Sequence, residues 1–342
     1  MGDENSSCAT EQIISSKTVH IVVLMPVLDD WVAAREVLAR LDSAFAAQPV
    51  TLSILLVDDG STEVPPPDFG RGPYTRLQDV EVLTLKKNLG HQRALAVGLC
   101  HIAEKAPCDA ILVMDSDGED DPRDALRLTE RLVELDGQEL HPIIFAERTR
   151  RSESFVFRIG YLGYRLLHYL LTGRGIRFGN FSIIPRARLG AITTEPMLWN
   201  HYAASVAGSR LPFTTIPTHR GARLAGKSRL NYLNLVIHGL SALSCYNELI
   251  GVRLLLISSF LFVVSLLGIV ATIALRLTTN IPLLGWTSLF AGLLIIFLLQ
   301  VITLACNFTM QIISARSAQP FLPMRDYIWY VAGVKRFFGR PQ

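Results

Sequence analysis

The chain is 342 residues long, half of them apolar, with a formal net charge of +3. That length allows one α/β domain of ordinary size plus a further element, and the modest charge gives no ground for a nucleic-acid partner. The five cysteines, at positions 8, 100, 108, 245 and 306, are odd in number and form no CxxC pair, which suggests neither a disulfide framework nor a zinc site and fits a reducing compartment.

Residues 1–18 are polar and lack a charged-then-apolar export signal, so they read as a disordered tail on a domain that is not exported. From residue 19 short apolar runs alternate with helical patterns. His20–Met25 reads as a buried strand and Trp31–Ala46 as a helix. Thr51–Val57 is a second strand, running into Asp58-Asp59-Gly60-Ser61, and residues 64–73, with three consecutive prolines, are an irregular loop. Val80–Leu85 is a third strand, followed by a helix over Arg93–Glu104, and Ala110–Met114 is a fourth, ending in Asp115-Ser-Asp117. Such alternation predicts a mixed, mostly parallel sheet with helices on both faces, and ligands in such sheets bind beyond the carboxyl ends of the strands. Three strands end in acids, so the acids converge on the edge where a site belongs.

Seven arginines, at 148, 150, 151, 158, 165, 174 and 177, stand against the single acid Glu153, a pattern suited to phosphate or an anionic membrane surface. Within Phe155–Leu171 the residues Arg158, Tyr161, Arg165 and His168 recur at helical spacing inside a wide apolar surround, and Asn231–Glu248 has the same character. Both read as interfacial helices, the first over about residues 155–171 and the second over 229–250. Leu254–Leu275 and Trp286–Cys306 are long enough to cross a hydrocarbon core of about 30 Å. Basic residues flank the pair (Arg220, Arg223, Lys227, Arg229 and Arg253 before; Arg316, Arg325, Lys335, Arg336 and Arg340 after), while the connecting loop holds one. The positive-inside rule then predicts an integral membrane protein with both chain ends cytoplasmic. The expected organisation is a catalytic domain over 19–228, a two-span anchor over 251–315 and a basic cytoplasmic tail over 316–342.

Asp115 and Asp117, two apart at a strand end, are placed to share a divalent metal rather than to exchange protons, and Glu119 continues the same side. Asp120 and Asp124 are expected to cap or complement the following helix, and Trp286 and Trp329-Tyr330 to anchor at the membrane interface.

Four blocks, Pro26-Val-Leu-Asp-Asp30, Leu56-Val-Asp-Asp-Gly-Ser-Thr62, Asn88-Leu-Gly-His-Gln-Arg-Ala94 and Met114-Asp-Ser-Asp-Gly-Glu-Asp-Asp-Pro122, follow one another in an order that resembles family 2 glycosyltransferases. Gly179-Asn-Phe-Ser182, Gly226-Lys-Ser-Arg229 and the paired C-terminal spans extend the likeness, over roughly residues 19–315, to the polyprenyl-phosphate glycosyltransferases, the group of dolichol-phosphate mannose synthase and bacterial undecaprenyl-phosphate glucosyltransferases. The resemblance implies a GT-A-like, Rossmann-like domain and inverting transfer of a sugar from a UDP- or GDP-sugar to a polyprenyl phosphate. By position it implies that Pro26, Asp30 and Asp58 line the nucleotide pocket, and that Asp115, Asp117 and Glu119 hold Mg²⁺ or Mn²⁺. Arg148, Arg158 and Arg165 would grip the acceptor phosphate, and Lys227 and Arg229 would close over the donor diphosphate. Oligomeric state stays open at this level, a homo-oligomer being one option, since relatives are often oligomers and two spans leave apolar helix surface to pair.

Three departures from the pattern stand out. Leu28-Asp29 replaces the usual Tyr-Asn, Glu119 replaces Gln, and Asn180 and Ser182 stand where an acid and an arginine are common. A phosphate acceptor, already ionised near neutrality with a second pKa of about 6, needs no catalytic base. Two alternatives remain at this level: a polysaccharide synthase, although no Gln-x-x-Arg-Trp block is present, and a non-catalytic membrane scaffold.

Overall fold

The computed structural model describes residues 18–135, 137, 140–148, 163, 166–173, 178–218, 221, 223–224, 232–278, 285–317 and 321–340. The expected disordered tail therefore lies outside the described residues except for Thr18. The chain divides into two units, one holding residues 1–159, 176–245 and 321–342, the other 160–175 and 246–320.

The first unit is built on an eight-stranded sheet in the order β7-β5-β6-β4-β1-β2-β3-β8. Its strands are β1 (Val19–Val27), β2 (Val50–Asp58), β3 (Leu77–Leu85), β4 (Ala110–Val113), β5 (Ile143–Arg148), β6 (Phe178–Pro185), β7 (Phe213–Thr218) and β8 (Val331–Gly339). The β4-β1-β2-β3 core is parallel, as is β5 with β7, whereas β6 runs antiparallel to both β4 and β5 and β8 antiparallel to β3. A parallel core must be covered on both faces, and the alternation within β1 shows how. Ile21, Val23 and Met25 pack in one layer with Leu38 and Leu41 of α1 (Trp31–Ala44) and Leu128 of α3 (Pro122–Glu134). Val22 and Leu24 pack in the other, with Leu95 and Leu99 of α2 (His91–Lys105) and with Tyr202, which opens α5 (Tyr202–Gly208) after the short α4 (Arg186–Thr193). Helix α2 lies so close to the sheet that a Cβ at Gly98 would stand 2.3 Å from Leu24 Cδ1.

The irregular segment 64–73 is irregular but not loose. Phe69 is buried edge-on between Trp31 and Phe337, and the Trp31 indole donates to the Glu63 carbonyl at 2.8 Å. The basic tail expected over 316–342 contains an element the sequence did not signal: β8 closes the β3 edge, with Glu81 and Arg336 paired across the strands at 2.7 Å. Adjoining it, Tyr330 packs on Trp199 and Phe321, so of the expected Trp329-Tyr330 anchor Tyr330 is drawn into the fold and Trp329 is left outward, 71% exposed, while the Trp286 side chain lies outside the described part.

The expected second interfacial helix is shorter than its pattern. Helix α6 (Tyr232–Ser244) stops before Cys245, and Glu248 belongs instead to α7 (Asn247–Thr278). Of the first interfacial helix, residue 163 and residues 166–172 are described and helical.

The second unit contains α7 and α8 (Trp286–Ser317), two 32-residue helices packed on each other. Gly251 brings α7 against Ile312 and Gly268 against Leu294, and the buried Ser265 and Thr272 hydroxyls each donate to a carbonyl four residues back at 2.7 Å. Each helix is long and apolar enough to cross a membrane, and only 11% and 6% of their most apolar windows are buried. Two core helices of a water-soluble fold would be mostly covered; these present their apolar faces outward. By length, composition and exposure the two helices are candidate membrane spans.

Candidate active site

The carboxyl ends of β1, β2 and β4 carry the acids. The Ser116 hydroxyl donates to the Pro26 carbonyl at 2.7 Å and fixes the turn after β4 to the end of β1. The strand itself ends at Val113, so Asp115 and Asp117 are not aligned by extended backbone as the sequence spacing implied. A tight turn places them instead: the Asp120 carboxylate accepts the Asp115 N–H at 3.0 Å, Asp117 Oδ1 accepts the Glu119 N–H at 2.9 Å, and Gly118 adopts a left-handed φ of 84°. Asp120 is thereby withdrawn from the capping role expected for it. Asp121 caps α3 through the Arg123 N–H, and Asp124 sits in the first turn beside Arg127.

Over this turn lies a short piece of chain from the far side of β7. Gly221 N–H donates to the Glu119 carbonyl at 2.8 Å and Leu224 N–H to the Asp117 carbonyl at 3.0 Å. Between them Arg223 reaches down: its Nη2 is 2.8 Å and its Nε 3.3 Å from Asp117 Oδ2, and Nη2 is 3.7 Å from Asp30 Oδ2. Burial disfavours the guanidinium charge, but the hydrogen bond and charge of Asp117, with Asp30 and Asp115, outweigh it and raise the Arg223 pKa above its ordinary value. Arg223 was readable in sequence only as one of the basic residues before the first span. Its site role depends on a chain return that local pattern does not encode.

On the other side of Asp115 stands His91, the first residue of α2, with Nε2 3.4 Å from Asp115 Oδ1. The Asn180 amide nitrogen lies 3.0 Å from the same Nε2, Gln92 donates to Asn180 Oδ1 at 3.2 Å, and Gln92 Oε1 accepts the Tyr202 N–H at 2.8 Å. Asn180, a departure from the acid common at its position, thus joins His91 to the inner helices. Ser182, the second departure, is fully buried and bonded to the Tyr202 hydroxyl at 2.8 Å, so it points into the core. No ligand spacing marked His91 in the sequence; the signal was its place directly after Asn88-Leu-Gly90.

The two acids after β2 divide their work. Asp58 Oδ1 accepts the Ser61 N–H at 2.8 Å and shapes the turn. Asp59 is 3% exposed and accepts the Leu89 and Gly90 N–H groups at 2.6 and 2.9 Å, setting the entrance to α2. Burial raises the Asp59 pKa against the lowering effect of those bonds. Asp29, whose role the sequence left open, has φ of 56° and bonds the loop after β2 through Thr62 and Glu63.

Of the residues singled out in the sequence, Pro26, Asp30, Asp58, Asp115, Asp117 and Glu119 meet on this edge. Arg148 closes β5, its side chain outside the described part, and Arg158, Arg165, Lys227 and Arg229 lie outside the described residues. Among the described residues no three of His, Cys, Asp and Glu form a group able to hold a metal, so the expected trio of Asp115, Asp117 and Glu119 is not assembled as a cage. Glu119 serves the turn through its main chain. The remaining pair still fits a hard divalent cation, which is commonly held by one or two carboxylates with water and substrate phosphates supplying the rest. A cationic group, the Arg223 guanidinium, already rests on Asp117.

Residues 22–186 match the family model described as glycosyl transferase family 2. The undecaprenyl-phosphate 4-deoxy-4-formamido-L-arabinose transferase of Erwinia tasmaniensis is 25% identical over 282 residues, covering 78% of this chain and 79% of that one. The transferase of the same name from Klebsiella pneumoniae is 24% identical over 259 residues, covering 72% and 73%. Among solved structures, glucosyl-3-phosphoglycerate synthase from Mycobacterium tuberculosis in complex with Mn²⁺, UDP-glucose and glycerol 3-phosphate gives a TM-score of 0.47 at 15% identity, over 73% of this chain and 86% of that one, a likeness too distant to carry an argument.

Proposed function

We propose, from the match of residues 22–186 to the family model described as glycosyl transferase family 2, that this protein is a membrane-anchored glycosyltransferase that moves a sugar from a UDP- or GDP-sugar to a polyprenyl phosphate. The observation that carries this reading is the acidic edge. Asp30, Asp115 and Asp117 meet at the carboxyl ends of the adjacent parallel strands β1 and β4, with a guanidinium resting on them. An edge of that charge repels a phosphate donor unless a cation mediates. Asp115 and Asp117 would hold Mg²⁺ or Mn²⁺, which when bound neutralises charge on the departing nucleoside diphosphate. Pro26, Asp30 and Asp58 would face the nucleotide.

The acceptor assignment draws on other support. Curated relatives that span most of this chain are named as undecaprenyl-phosphate transferases. Two exposed apolar helices suit an enzyme whose acceptor is a membrane lipid. A lipid phosphate is ionised before it meets the enzyme, so the protein has only to position it and screen its charge. Arg148, Arg158 and Arg165 are the proposed grip, since guanidinium groups bind phosphate through paired hydrogen bonds, and Lys227 and Arg229 would cover the donor. In-line displacement then inverts the sugar. The strands preceding α7 and the strand following α8 share one sheet, so two membrane crossings return the chain to the side it left, and the basic flanks favour the cytoplasmic side.

The test uses the full chain in detergent with Mn²⁺ or Mg²⁺, undecaprenyl or dolichyl phosphate, and a panel of labelled UDP- and GDP-sugars. Release of one nucleoside diphosphate and transfer of label into the lipid fraction, both dependent on the lipid phosphate, are expected. Absence of release from every donor with competent lipid present sinks the reading.

A further inference from the structure

We propose that Arg223 is a positioning residue that holds Asp117 and Asp30 together on the acidic edge and is displaced from Asp117 when the divalent cation binds. The inference rests on the metal-dependent reading above and adds to it a residue that neither the motifs nor the relatives assign.

Arg223 is aimed by its neighbours. The main-chain bonds of Gly221 to Glu119 and of Leu224 to Asp117 fix the segment on either side of it, and Leu224 seats on Gly118 so closely that a Cβ there would lie 2.4 Å from Leu224 Cδ1. Each part of the contact depends on the turn that carries Asp115 and Asp117. The arrangement leaves Asp117 fully engaged: Oδ1 takes the Glu119 N–H and Oδ2 takes two guanidinium N–H groups. A cation coordinated by Oδ2 must occupy lone pairs that Arg223 now uses, and two positive groups cannot share them. Until then the guanidinium offsets the mutual repulsion of Asp30, Asp115 and Asp117, so the edge stays assembled without a metal. Cation binding and release of Arg223 from Asp117 are therefore one coupled event.

The experiment reads binding of Mn²⁺ alone, without donor or lipid, to the full chain in detergent by loss of the free Mn²⁺ electron paramagnetic resonance signal. Arg223→Gln should bind Mn²⁺ about tenfold more tightly than wild type, the scale of one charge-assisted hydrogen bond between side chains that are 23% and 12% exposed. Arg223→Lys, which keeps the charge but not the two-pronged contact, should fall between them. Arg336→Gln, which removes a positive charge from β8, should match wild type. In the wild-type protein, which needs no variant to fold, Mn²⁺ should speed hydrogen exchange at the Gly221 and Leu224 amides. Equal affinity in wild type and Arg223→Gln, an equal gain from Arg336→Gln, or unchanged exchange on adding Mn²⁺ overturns the proposal while leaving the metal-dependent reading intact. Failure of every form to bind Mn²⁺ overturns both.

Discussion

The Asp29 carboxylate accepts the main-chain N–H groups of Thr62 at 2.7 Å and Glu63 at 2.9 Å, so the loop that carries Asp30 is tied to the loop that carries Asp58. The Asp29 N–H returns the link by donating to the Ser61 hydroxyl at 2.9 Å. Two walls of the proposed nucleotide pocket are thus one unit. Asp29→Ala removes the acceptor of two exposed main-chain donors, which water can replace, and should cost about 0.5–1.5 kcal/mol of stability. It should raise the donor KM more than it lowers kcat, because it loosens the pocket without touching the reacting atoms. Asp29→Asn keeps an acceptor oxygen and should lose less. Thermal unfolding together with donor titration checks both.

Asp117→Asn should lower sugar transfer by about a hundredfold or more, the usual scale for removing a group that stabilises developing charge. The variant should still insert in membranes, since the spans lie in a separate unit. Transfer assays on membranes with matched protein levels give the answer. Unchanged transfer would remove Asp117 from the metal assignment.

Gly118→Ala is expected to fail for two separable reasons. Its φ of 84° disfavours any side chain, by roughly 1–2 kcal/mol, and the new methyl would collide with Leu224. Adding Leu224→Ala to Gly118→Ala should restore the part of the loss due to collision and leave the part due to backbone strain. Activity of the single and double variants, compared as a cycle, separates the two.

Stability should carry an acid limb traceable to Asp42. Burial works against its charge, but the Thr75, Arg76 and Leu77 N–H groups and the Thr75 hydroxyl outweigh it and hold its pKa below the ordinary aspartate value. A group depressed in the folded state contributes stability that is present above its unfolded pKa, about 3.9, and is lost as pH falls through the folded pKa. Asp42→Asn should be less stable at neutral pH and should lose less on acidification below about pH 4. Melting temperatures of the full chain across that range test the sign.

Local pattern accounts for much of this molecule. The strands β1, β2 and β4 announce themselves as short apolar runs ending in acids, and α7 and α8 as long uncharged ones, because burial in a two-faced sheet and exposure to lipid each leave a local signature. The edge bearing Asp30, Asp58 and Asp117 followed from those strand ends. Strand β8 was not legible, since Val331–Gly339 gains its meaning only by pairing with β3, some 250 residues earlier, as Glu81 and Arg336 do. Arg223 was hidden for the same reason, and His91, although inside the Asn88–Ala94 block, bore no mark of its contact with Asp115. One reaches Asp117 and the other Asp115 across 106 and 24 residues of sequence, and neither distance has a periodic trace. Asp120 was misread because its position before a helix suggested a cap, while its carboxylate is drawn back to the Asp115 N–H by a turn that spacing alone does not reveal.

The place of β8 bears on how the protein is made. Its partner β3 is synthesised early, but β8 follows both apolar helices along the chain. During translation the sheet waits with an open edge until the second helix has left the ribosome, so both apolar helices are available to a bilayer before the sheet can be completed. A stop codon placed after the second helix would yield a chain that is moored yet unfinished, its β3 edge open to other chains. A water-soluble version would instead need the apolar hairpin cut out and the last strand kept.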